Sequence, residues 1–409
     1  MNYQFVSDLS EEHYQMFAYE HPLYNLYQSV QWSRIKREWE SFYVGLYNED
    51  ELIIACLVLC RKLPLNRTLF YLPKGPLADF NDKEALSAFF DGLRSLAKSK
   101  HAISIKITPN IRLSSVLFKE IAKHQPVRES KIIENIEACG FTHYGFNLDM
   151  YETAQPRFCA AFYYYDQWLQ SDSKALKTAS KALKKGVELE YLDHSQLALF
   201  AKIMDYTSKR KNISLRNEEY YQRIVDNFNE DALIVVSKID LKKQLDDDQK
   251  RLAELEDQIN NKLSSERKIK GLIEQVESLK KEISFKQESI SIEQDVVYIS
   301  CLLAVKVKDT VEMLYAGMNE RYRKYYGSYL TYLEGIKWGY ERGCIRCDFG
   351  GIPGTLDDGL TEFKGYFQPH VEEYIGEFNM IIDPMMNSLF NHALAFFKVI
   401  RRIIRGFKK

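Results

Sequence analysis

One order of apolar segments occurs twice in this sequence, and it limits the folds that the chain can adopt. Each copy reads as three strands, a helix and a further strand, with a glycine-bearing turn after the third strand. The first copy comprises residues 42–63, which hold two strands, then 68–76, a helical stretch at 82–98, and 102–109. The second comprises 232–240, 297–307, 311–319, a helical stretch at 325–342, and 344–351. The sequence therefore predicts an α/β (α+β) protein built from two related domains.

The second copy carries a long charged insert between its first two strands. Residues 238–295 contain 12 basic and 14 acidic side chains, and apolar residues recur at heptad spacing from Leu241 to Ile283. The first copy has only the hairpin turn 48–51 at this place. Because the chain must return to the sheet, we expect two antiparallel helices of about 25 residues each, reaching about 35–40 Å. The mixed charge favours a spacer or partner-docking arm, and direct contact with RNA is the alternative.

The repeat and its flanks predict four segments. The first domain is placed at 1–148 and the second at 149–380, with the arm 238–295 inserted in the second. Residues 381–409 are expected to form a C-terminal basic amphipathic helix, which can lie in an anionic membrane interface or pack on the protein's own core. Its apolar face is formed by Phe396, Phe397, Ile400, Ile403, Ile404 and Phe407.

Composition narrows the setting in which the chain works. Its 409 residues carry 56 Lys and Arg against 57 Asp and Glu, so any basic function must be local. No segment has the pattern of a secretory signal or a membrane span, and seven scattered cysteines fit a reducing compartment. The pair Cys344 and Cys347 lacks a second pair, so a structural role is expected. These observations predict a cytoplasmic protein.

A local basic segment is found at residues 173–186. Lys177, Lys181 and Lys184 fall near one helical face, together with Lys174 and Lys185. We expect Leu176, Ala179 and Leu183 on the opposite, buried face. The segment is either an ordinary surface helix or a phosphate-binding one.

Short strings along the chain resemble the FemABX family of peptidoglycan peptide-branching aminoacyltransferases, and most closely its streptococcal MurM and MurN branch. They are QSVQWSRIKREW (28–39), LPKGPLADF (72–80), QPRF (155–158), RKNISLRNEEYY (210–221), MLYAGMN (313–319), DFGG (348–351), GLTEFKGYF (359–367) and EYIGEF (373–378). The resemblance implies two tandem acetyltransferase-like (GNAT-like) domains with a coiled-coil arm. It also implies transfer of Ser, Ala or Gly from aminoacyl-tRNA to the stem-peptide lysine of lipid II, or of UDP-MurNAc-pentapeptide, without metal or coenzyme A.

The resemblance also suggests functional residues. Phe363 and Lys364 match a pair that supports the transition state in the family, although position alone favours an ordinary surface lysine at 364. Lys36 matches a precursor-binding residue. Thr108 stands where the family often has an acceptor-contacting aspartate, and a hydroxyl cannot attract an ammonium as a carboxylate does.

The second domain contributes the other matches to precursor-binding groups, Arg216, Tyr220 and Tyr315. Arg216 and Tyr220 share a face if both are helical, because they are four residues apart. The acceptor's pyrophosphate requires cations and hydroxyl donors such as these.

The proposed chemistry needs little specialised machinery. Aminoacyl-tRNA is an activated ester, so transfer requires a neutral amine beside its carbonyl and a positive group near the oxygen that gains charge. The resulting prediction is a membrane-peripheral enzyme at the inner face of the plasma membrane, whose oligomeric state the sequence leaves open. The alternatives are a non-catalytic coiled-coil scaffold and an acyl-CoA N-acyltransferase, although the Gly-rich pyrophosphate turn of the latter is missing.

Overall fold

The repeated order of elements is present in the structure, which is a computed structural model that describes residues 2–123, 125–127, 130–260 and 266–393. The strands are β1 (Tyr3–Val6), β2 (Glu40–Asn48), β3 (Glu51–Leu63), β4 (Arg67–Lys74), β5 (Ala102–Pro109), β6 (Arg112–Leu117), β7 (Thr142–His143), β8 (Phe158–Tyr163), β9 (Val187–Tyr191), β10 (Ala232–Asp240), β11 (Val296–Val307), β12 (Thr310–Met318), β13 (Arg346–Ile352), β14 (His370–Tyr374) and β15 (Phe378–Ile381).

The helices alternate with these strands. They are α1 (Glu11–Glu20), α2 (Val30–Ile35), α3 (Lys83–Ser99), α4 (Lys131–Ala138), α5 (Lys174–Lys184), α6 (Leu197–Lys211), α7 (Glu218–Phe228), α8 (Leu241–Asn260), α9 (Glu266–Ile292), α10 (Gly327–Glu341) and α11 (Gly359–Gly365). Residues 384–393 are also helical, and the apolar face predicted for Phe396–Phe407 lies outside the described residues.

The two copies of the repeat have the same strand directions where the structure gives them. In the first, β2, β3 and β4 are antiparallel neighbours, and α3 connects β4 to the parallel strand β5. In the second, β10 and β11 are antiparallel, and α10 connects β12 to the parallel strand β13. A helical crossover is what a parallel pair requires, since a tight turn cannot join its ends.

The chain forms two compact units, each discontinuous in sequence. Unit 1 contains residues 1–164, 306–312 and 344–409, and unit 2 contains 165–305 and 313–343. The chain passes between them within β11 and β12. These limits differ from the predicted domains 1–148 and 149–380, because the repeat follows sequence order whereas packing assigns β13 and the elements after it to unit 1.

Unit 1 contains a seven-stranded sheet in the order β1-β2-β3-β4-β5-β15-β7. Helix α3 packs an apolar face, including Phe89, Phe90 and Leu93, into the core of this unit together with Phe70 and Leu72. The strands β6, β14, β8 and β13 pair in that order, and β13 continues to residues 310–312 of β12. These last strands carry most of the site described below.

Unit 2 contains the strands β12, β11, β10 and β9 in that order, and the helical arm leaves from its β10–β11 hairpin. Asp240 and Val296 are the last paired residues before the arm. Helices α8 and α9 have 20 and 27 residues and pack through Leu255, Leu272 and Val276. The ion pairs Asp248–Lys286 and Glu256–Lys280 show that the helices are antiparallel. The structure therefore confirms the predicted arm.

Candidate active site

Lys364 is a buried lysine, so the alternative of an ordinary surface residue is wrong. Its side chain is only 4% exposed, and the Nζ atom donates hydrogen bonds to the carbonyl oxygens of Gly350 (3.1 Å) and Gly351 (2.8 Å). These carbonyls belong to the carboxyl end of β13. The short helix α11, which begins after the N-cap residue Asp358, carries Lys364. The backbone thus fixes a cation at one strand end.

Phe363 precedes this lysine and belongs to an aromatic group. Its ring is half-buried and meets the edge of Phe367, with 5.5 Å between ring centroids. Phe367 in turn contacts Phe349 of β13 at 5.6 Å. The aromatic rings pack α11 against the strand whose carbonyls hold Lys364.

Two carboxylates lie side by side near this strand end. Glu312 of β12 is the register partner of Asp348 of β13 in a parallel pair, so the two side chains project from the same face of the sheet. The same pairing places Thr310 beside Arg346. Arg346, Asp348 and Glu312 therefore share one face, and the first of the Lys364-bound carbonyls comes two residues after Asp348.

Arg346 neutralises two of the acidic groups in this region. Its Nη2 atom lies 2.6 Å from Asp348 Oδ2 and 2.6 Å from Glu372 Oε2. Glu372 also accepts hydrogen bonds from Tyr374 (2.9 Å) and Arg112 (2.8 Å). Burial by itself raises the pKa of Glu372, but the cations and hydrogen bonds outweigh it and hold that pKa at about 2. Glu372 is therefore an ionised, structural carboxylate.

Glu312 has the opposite electrostatic character. Burial, followed by the negative charge of Asp348, raises the pKa of Glu312 to about 8, against the opposing effect of Arg346 and Lys74. Its side chain is nevertheless half-buried and retains some contact with solvent. We call Lys74, Glu312, Arg346, Asp348 and Glu372 the Glu312 cluster. A shifted pKa in a partly accessible carboxylate is typical of functional sites.

Lys74 is the second buried lysine of unit 1. Its Nζ atom lies 3.3 Å from the centroid of the Tyr374 ring, and burial lowers its pKa, while the nearby Cys159, Asp348 and Glu312 oppose that effect. The glycine of the LPKGP string allows the chain next to Lys74 to pass close to Gln28, because Gly75 has no side chain. A Cβ at that position would come within 2.6 Å of the buried Gln28 amide, which donates to Pro73 O at 2.8 Å.

Thr108 lies beside this turn on the parallel strand β5. It is buried, and its Oγ1 atom accepts a hydrogen bond from the backbone N–H of Lys74 at 3.0 Å and lies 3.3 Å from the Tyr71 hydroxyl. The hydroxyl predicted to contact the acceptor thus already holds the Lys74 backbone.

Lys36 is the C-cap residue of α2, also in unit 1. Its Nζ atom lies 4.5 Å from the centroid of the Trp32 ring, and Trp32 meets Tyr27 edge-on at 4.8 Å. Burial raises the pKa of Tyr27, and the negative charges of Glu312 and Asp348 raise it further. Lys36, Trp32 and Tyr27 thus contact one another in series, and Tyr27 lies within the electrostatic influence of Glu312 and Asp348.

Unit 2 brings together the other three predicted residues, in what we call the Tyr315 cluster: Arg216, Tyr220, Tyr221 and Tyr315. The Arg216 guanidinium carbon is 4.7 Å from the Tyr220 ring centroid, and Tyr315 meets Tyr220 at 6.2 Å and Tyr221 at 5.1 Å. The condition that Arg216 be helical is wrong, because α7 begins at Glu218. The contact forms because Arg216 precedes the N-cap and its exposed side chain lies against the buried Tyr220 ring.

The predicted basic helix exists as α5, but its buried face differs from the prediction. Ala175, Ala179 and Ala182 are buried, whereas Leu183 is 60% exposed. Leu176 is half-buried, and Ala179 is buried as predicted. Alanines allow close packing, so the fully buried positions of α5 are small side chains. The side chains of Lys177, Lys181 and Lys184 are exposed, and Lys177 pairs with Asp172 at 2.7 Å.

The sequence analysis did not identify the residues of the Glu312 cluster as functional. A signal was present, because Glu312 and Asp348 are acidic residues next to apolar residues in predicted strands, where a charged side chain is seldom buried without a partner. Register between distant strands was needed to show that they meet.

Two further properties concern the part of the chain that the structure covers. In residues 2–393, without the gaps given above, no helix is long and apolar enough to cross a membrane. The same residues contain no group of three or more His, Cys, Asp or Glu side chains arranged to hold a metal ion. Cys344 and Cys347 are both buried free thiols.

Comparisons with known proteins agree with this architecture. The FemAB family model matches residues 9–394. Lipid II:glycine glycyltransferase of Staphylococcus saprophyticus is 25% identical over 425 aligned positions, which cover 98% of this chain and 99% of that protein.

Solved structures show the same fold. A crystal structure of FemX superposes with a TM-score of 0.70 at 24% identity, covering 95% of this chain and 99% of that one. A tandem GNAT protein from the clavulanic acid biosynthesis pathway superposes with a TM-score of 0.50 at 7% identity, covering 94% and 99%. The predicted tandem GNAT-like α/β fold is therefore confirmed. The chain is a transferase that belongs to the FemAB family.

Proposed function

We propose that the protein transfers Gly, Ser or Ala from aminoacyl-tRNA to the stem-peptide lysine of lipid II, and so builds the interpeptide branch of peptidoglycan. Family membership supports the reaction type. The relative reported above is a lipid II:glycine glycyltransferase, which supports lipid II as the acceptor and makes glycine the donor to test first. UDP-MurNAc-pentapeptide, which carries the same stem peptide, is the second acceptor to test. The streptococcal MurM and MurN branch stays a prediction.

The observation that carries the proposal is the buried, backbone-held ammonium of Lys364. When an amine attacks the ester of aminoacyl-tRNA, the carbonyl oxygen gains negative charge, and a cation fixed in advance stabilises that charge without reorganisation. Lys364 is fixed by Gly350 O and Gly351 O in this way. Phe363 would pack beside the acyl group. An exposed lysine side chain would lose conformational entropy at each turnover, whereas the buried side chain of Lys364 is already ordered.

Binding roles are proposed for each unit separately. In unit 1, Lys36 would bind a phosphate of the acceptor, and Thr108 would act through the backbone of Lys74 rather than by touching the acceptor. In unit 2, Arg216 would offer its guanidinium to a phosphate, with Tyr220 and Tyr315 as its aromatic support.

The remaining contacts concern the donor and the membrane. Lys177, Lys181 and Lys184 of α5 are exposed cations that would bind tRNA phosphates, and raising the salt concentration should then weaken binding steeply. We also propose that the protein works in the cytoplasm at the inner face of the plasma membrane, where lipid II presents its stem peptide. Binding to anionic vesicles tests that location.

The central experiment supplies purified protein with lipid II and with glycyl-, seryl- or alanyl-tRNA in separate reactions, and follows the mass of the precursor. The expected result is a mass gain of one residue with at least one donor. Free amino acids in place of the charged tRNAs serve as the control and should give no gain. Unchanged lipid II and unchanged UDP-MurNAc-pentapeptide with all three intact donors would contradict the proposal.

A further inference from the structure

The acidic side chains of the Glu312 cluster differ in how far the protein satisfies them. Asp348 is bound by Arg346 and accepts a hydrogen bond from Gly350 N at 2.6 Å. Glu372 is bound by Arg346, Arg112 and the Tyr374 hydroxyl. Among the residues that the structure describes, none donates a hydrogen bond to the Glu312 carboxylate or forms an ion pair with it. Glu312 is thus the carboxylate left with acceptor capacity.

This carboxylate is also enclosed and yet reachable. Glu312 projects from the same face as its register partner Asp348, next to a second negative charge, and its side chain stays half-buried instead of turning out to water. An ionised carboxylate beside a like charge, with Arg346 and Lys74 near it but not paired with it, is costly for the fold. Binding of a cation to Glu312, or protonation of its carboxylate, removes the repulsion between Glu312 and Asp348.

The position relative to Lys364 gives this carboxylate a role. Lys364 binds the carbonyls of Gly350 and Gly351, which follow Asp348 on β13, and Asp348 is paired with Glu312 across the parallel ladder. The backbone of β13 therefore holds the Lys364 ammonium two and three residues beyond Asp348, the register partner of Glu312. Acyl transfer to an amine needs these two groups, one for the developing oxyanion and one for the proton of the nucleophile.

We propose that Glu312 receives the acceptor's amine, binding its ammonium form and then taking the proton that the nitrogen must lose before it attacks the ester. The inference rests on the proposed function, because it assumes that the acceptor is a primary amine and the donor an ester. It assigns the role of general base to Glu312 of β12, a residue that lies outside the short strings shared with the family.

The proton and electron movements balance without another reactant. The ammonium gives one proton to Glu312, and the freed lone pair forms the C–N bond to the ester carbonyl carbon. The bond from that carbon to the ribose oxygen breaks, and this oxygen takes a second proton from the nitrogen. The amide nitrogen keeps its last hydrogen, and Glu312 returns its proton to water.

The charged surroundings of Glu312 agree with this role. Asp348 and Glu372 disfavour its ionised form, Arg346 and Lys74 favour it, and burial raises its pKa above the ordinary carboxyl range. The Tyr27 hydroxyl also lies within the influence of the Glu312 charge. A base with a raised pKa accepts a proton from an ammonium more readily than an ordinary carboxylate does.

The test is Glu312→Gln, which keeps the shape of the side chain and removes its basicity. With lipid II and the active aminoacyl-tRNA, we expect kcat to fall by about 100-fold or more, while KM for the tRNA is unchanged. Glu312→Asp should recover part of the loss. The matched control is Glu51→Gln, an exposed strand glutamate of the same unit, which should transfer at the wild-type rate.

The pH profile supplies a second readout that a structural role would not move. For the wild type, kcat should rise with pH across about pH 6–9 as Glu312 ionises, and Glu312→Gln should lose this limb. If the Gln variant does not fold, the wild-type profile still decides, because a flat kcat over that range overturns the inference. Wild-type-like transfer by a folded Glu312→Gln variant overturns it too. No transfer by the wild type with any donor would instead contradict the proposed function itself.

Discussion

The Glu312 cluster of unit 1 and the Tyr315 cluster of unit 2 combine charge with aromatic rings in opposite ways. In the Glu312 cluster the charges are buried or half-buried, and the ring of Tyr374 covers Lys74. In the Tyr315 cluster the rings of Tyr220 and Tyr221 are buried. The exposed Arg216 lies over the Tyr220 ring, and the Arg223 guanidinium carbon lies 5.2 Å from the same ring.

The difference indicates different uses of charge. Buried charges must be paired or they destabilise the fold. Within the Glu312 cluster, Arg346, Asp348 and Glu372 form ion pairs with one another, Lys74 lies against the Tyr374 ring, and Glu312 is the carboxylate without an ion pair among the described residues. An exposed guanidinium on an aromatic platform has little influence on folding and can present hydrogen-bond donors to a ligand. The proposed roles follow this difference, with chemistry on a few atoms assigned to unit 1 and binding of an anion assigned to unit 2.

The largest expected effect is on stability and belongs to the paired part of the Glu312 cluster. Glu372→Gln leaves Arg346 and Arg112 without their shared carboxylate, and we expect the free energy of unfolding to fall by about 3–5 kcal/mol at pH 7. Urea titration measures it. The control in unit 2 is Glu190→Gln, which breaks the partly exposed 2.6 Å pair with Lys238 and should cost below about 1 kcal/mol.

The pH dependence of that loss follows from the lowered pKa of Glu372. The folded-state pKa is about 2, below the value of an unfolded glutamate, so the stabilisation is present above about pH 4.3 and disappears as the pH falls towards 2. The difference between wild type and Glu372→Gln should therefore shrink on acidification. A difference that is constant from pH 7 to pH 2 would show that the carboxylate charge is not what stabilises unit 1.

The next effect is catalytic and concerns Lys364. Lys364→Met keeps the buried aliphatic stem and removes the cation, and we expect kcat to fall by about 100- to 1,000-fold with little change in the KM for lipid II. The control is Lys83→Met, an exposed lysine of α3 in the same unit. Near-normal transfer by Lys364→Met would remove the oxyanion role. If the variant also kept cellular function while deletion of residues 241–290 abolished it, the scaffold alternative would be favoured.

The smallest effect is expected in the Tyr315 cluster and should appear in binding. Arg216→Ala removes a charged hydrogen-bond donor, so KM for lipid II should rise by about 10- to 100-fold while kcat changes little. Arg216→Lys should recover only part of it, because an ammonium cannot bind a phosphate with two parallel donors. Arg210→Ala, which removes another exposed arginine of unit 2, is the control. A fall in kcat without a rise in KM would show that Arg216 acts in the chemical step, and would contradict the proposal that the Tyr315 cluster serves binding alone.

Local patterns in the sequence were sufficient for the elements and the arm. Heptad apolar positions are read from neighbouring residues, and α8 and α9 appear where the charged insert predicted them. Several of the short strings proved to be contact sites between distant segments. QPRF and EYIGEF, for example, meet through the buried ion pair of Arg157 and Glu373.

The errors came from packing that local patterns cannot show. The face of α5 opposite the lysines was predicted to comprise Leu176, Ala179 and Leu183. Ala179 is buried, but its buried neighbours on the helix are Ala175 and Ala182, and Leu183 is 60% exposed. Arg216 and Tyr220 were expected to share a face only if both were helical. Arg216 precedes the N-cap residue Asn217, and its guanidinium contacts the Tyr220 ring from outside the helix.

The sequence by itself determined the repeated order of strands and helices and the helical arm, because both follow from the spacing of apolar residues along the chain. Its short strings, taken in order, indicated the family. Only the tertiary structure decided that Lys364 is buried and that Glu312 lies beside Asp348. A strand residue's environment depends on the register of a partner far away in the chain, and a shift of one position would turn its side chain to the other face. The candidate base therefore became visible only when β12 and β13 were paired.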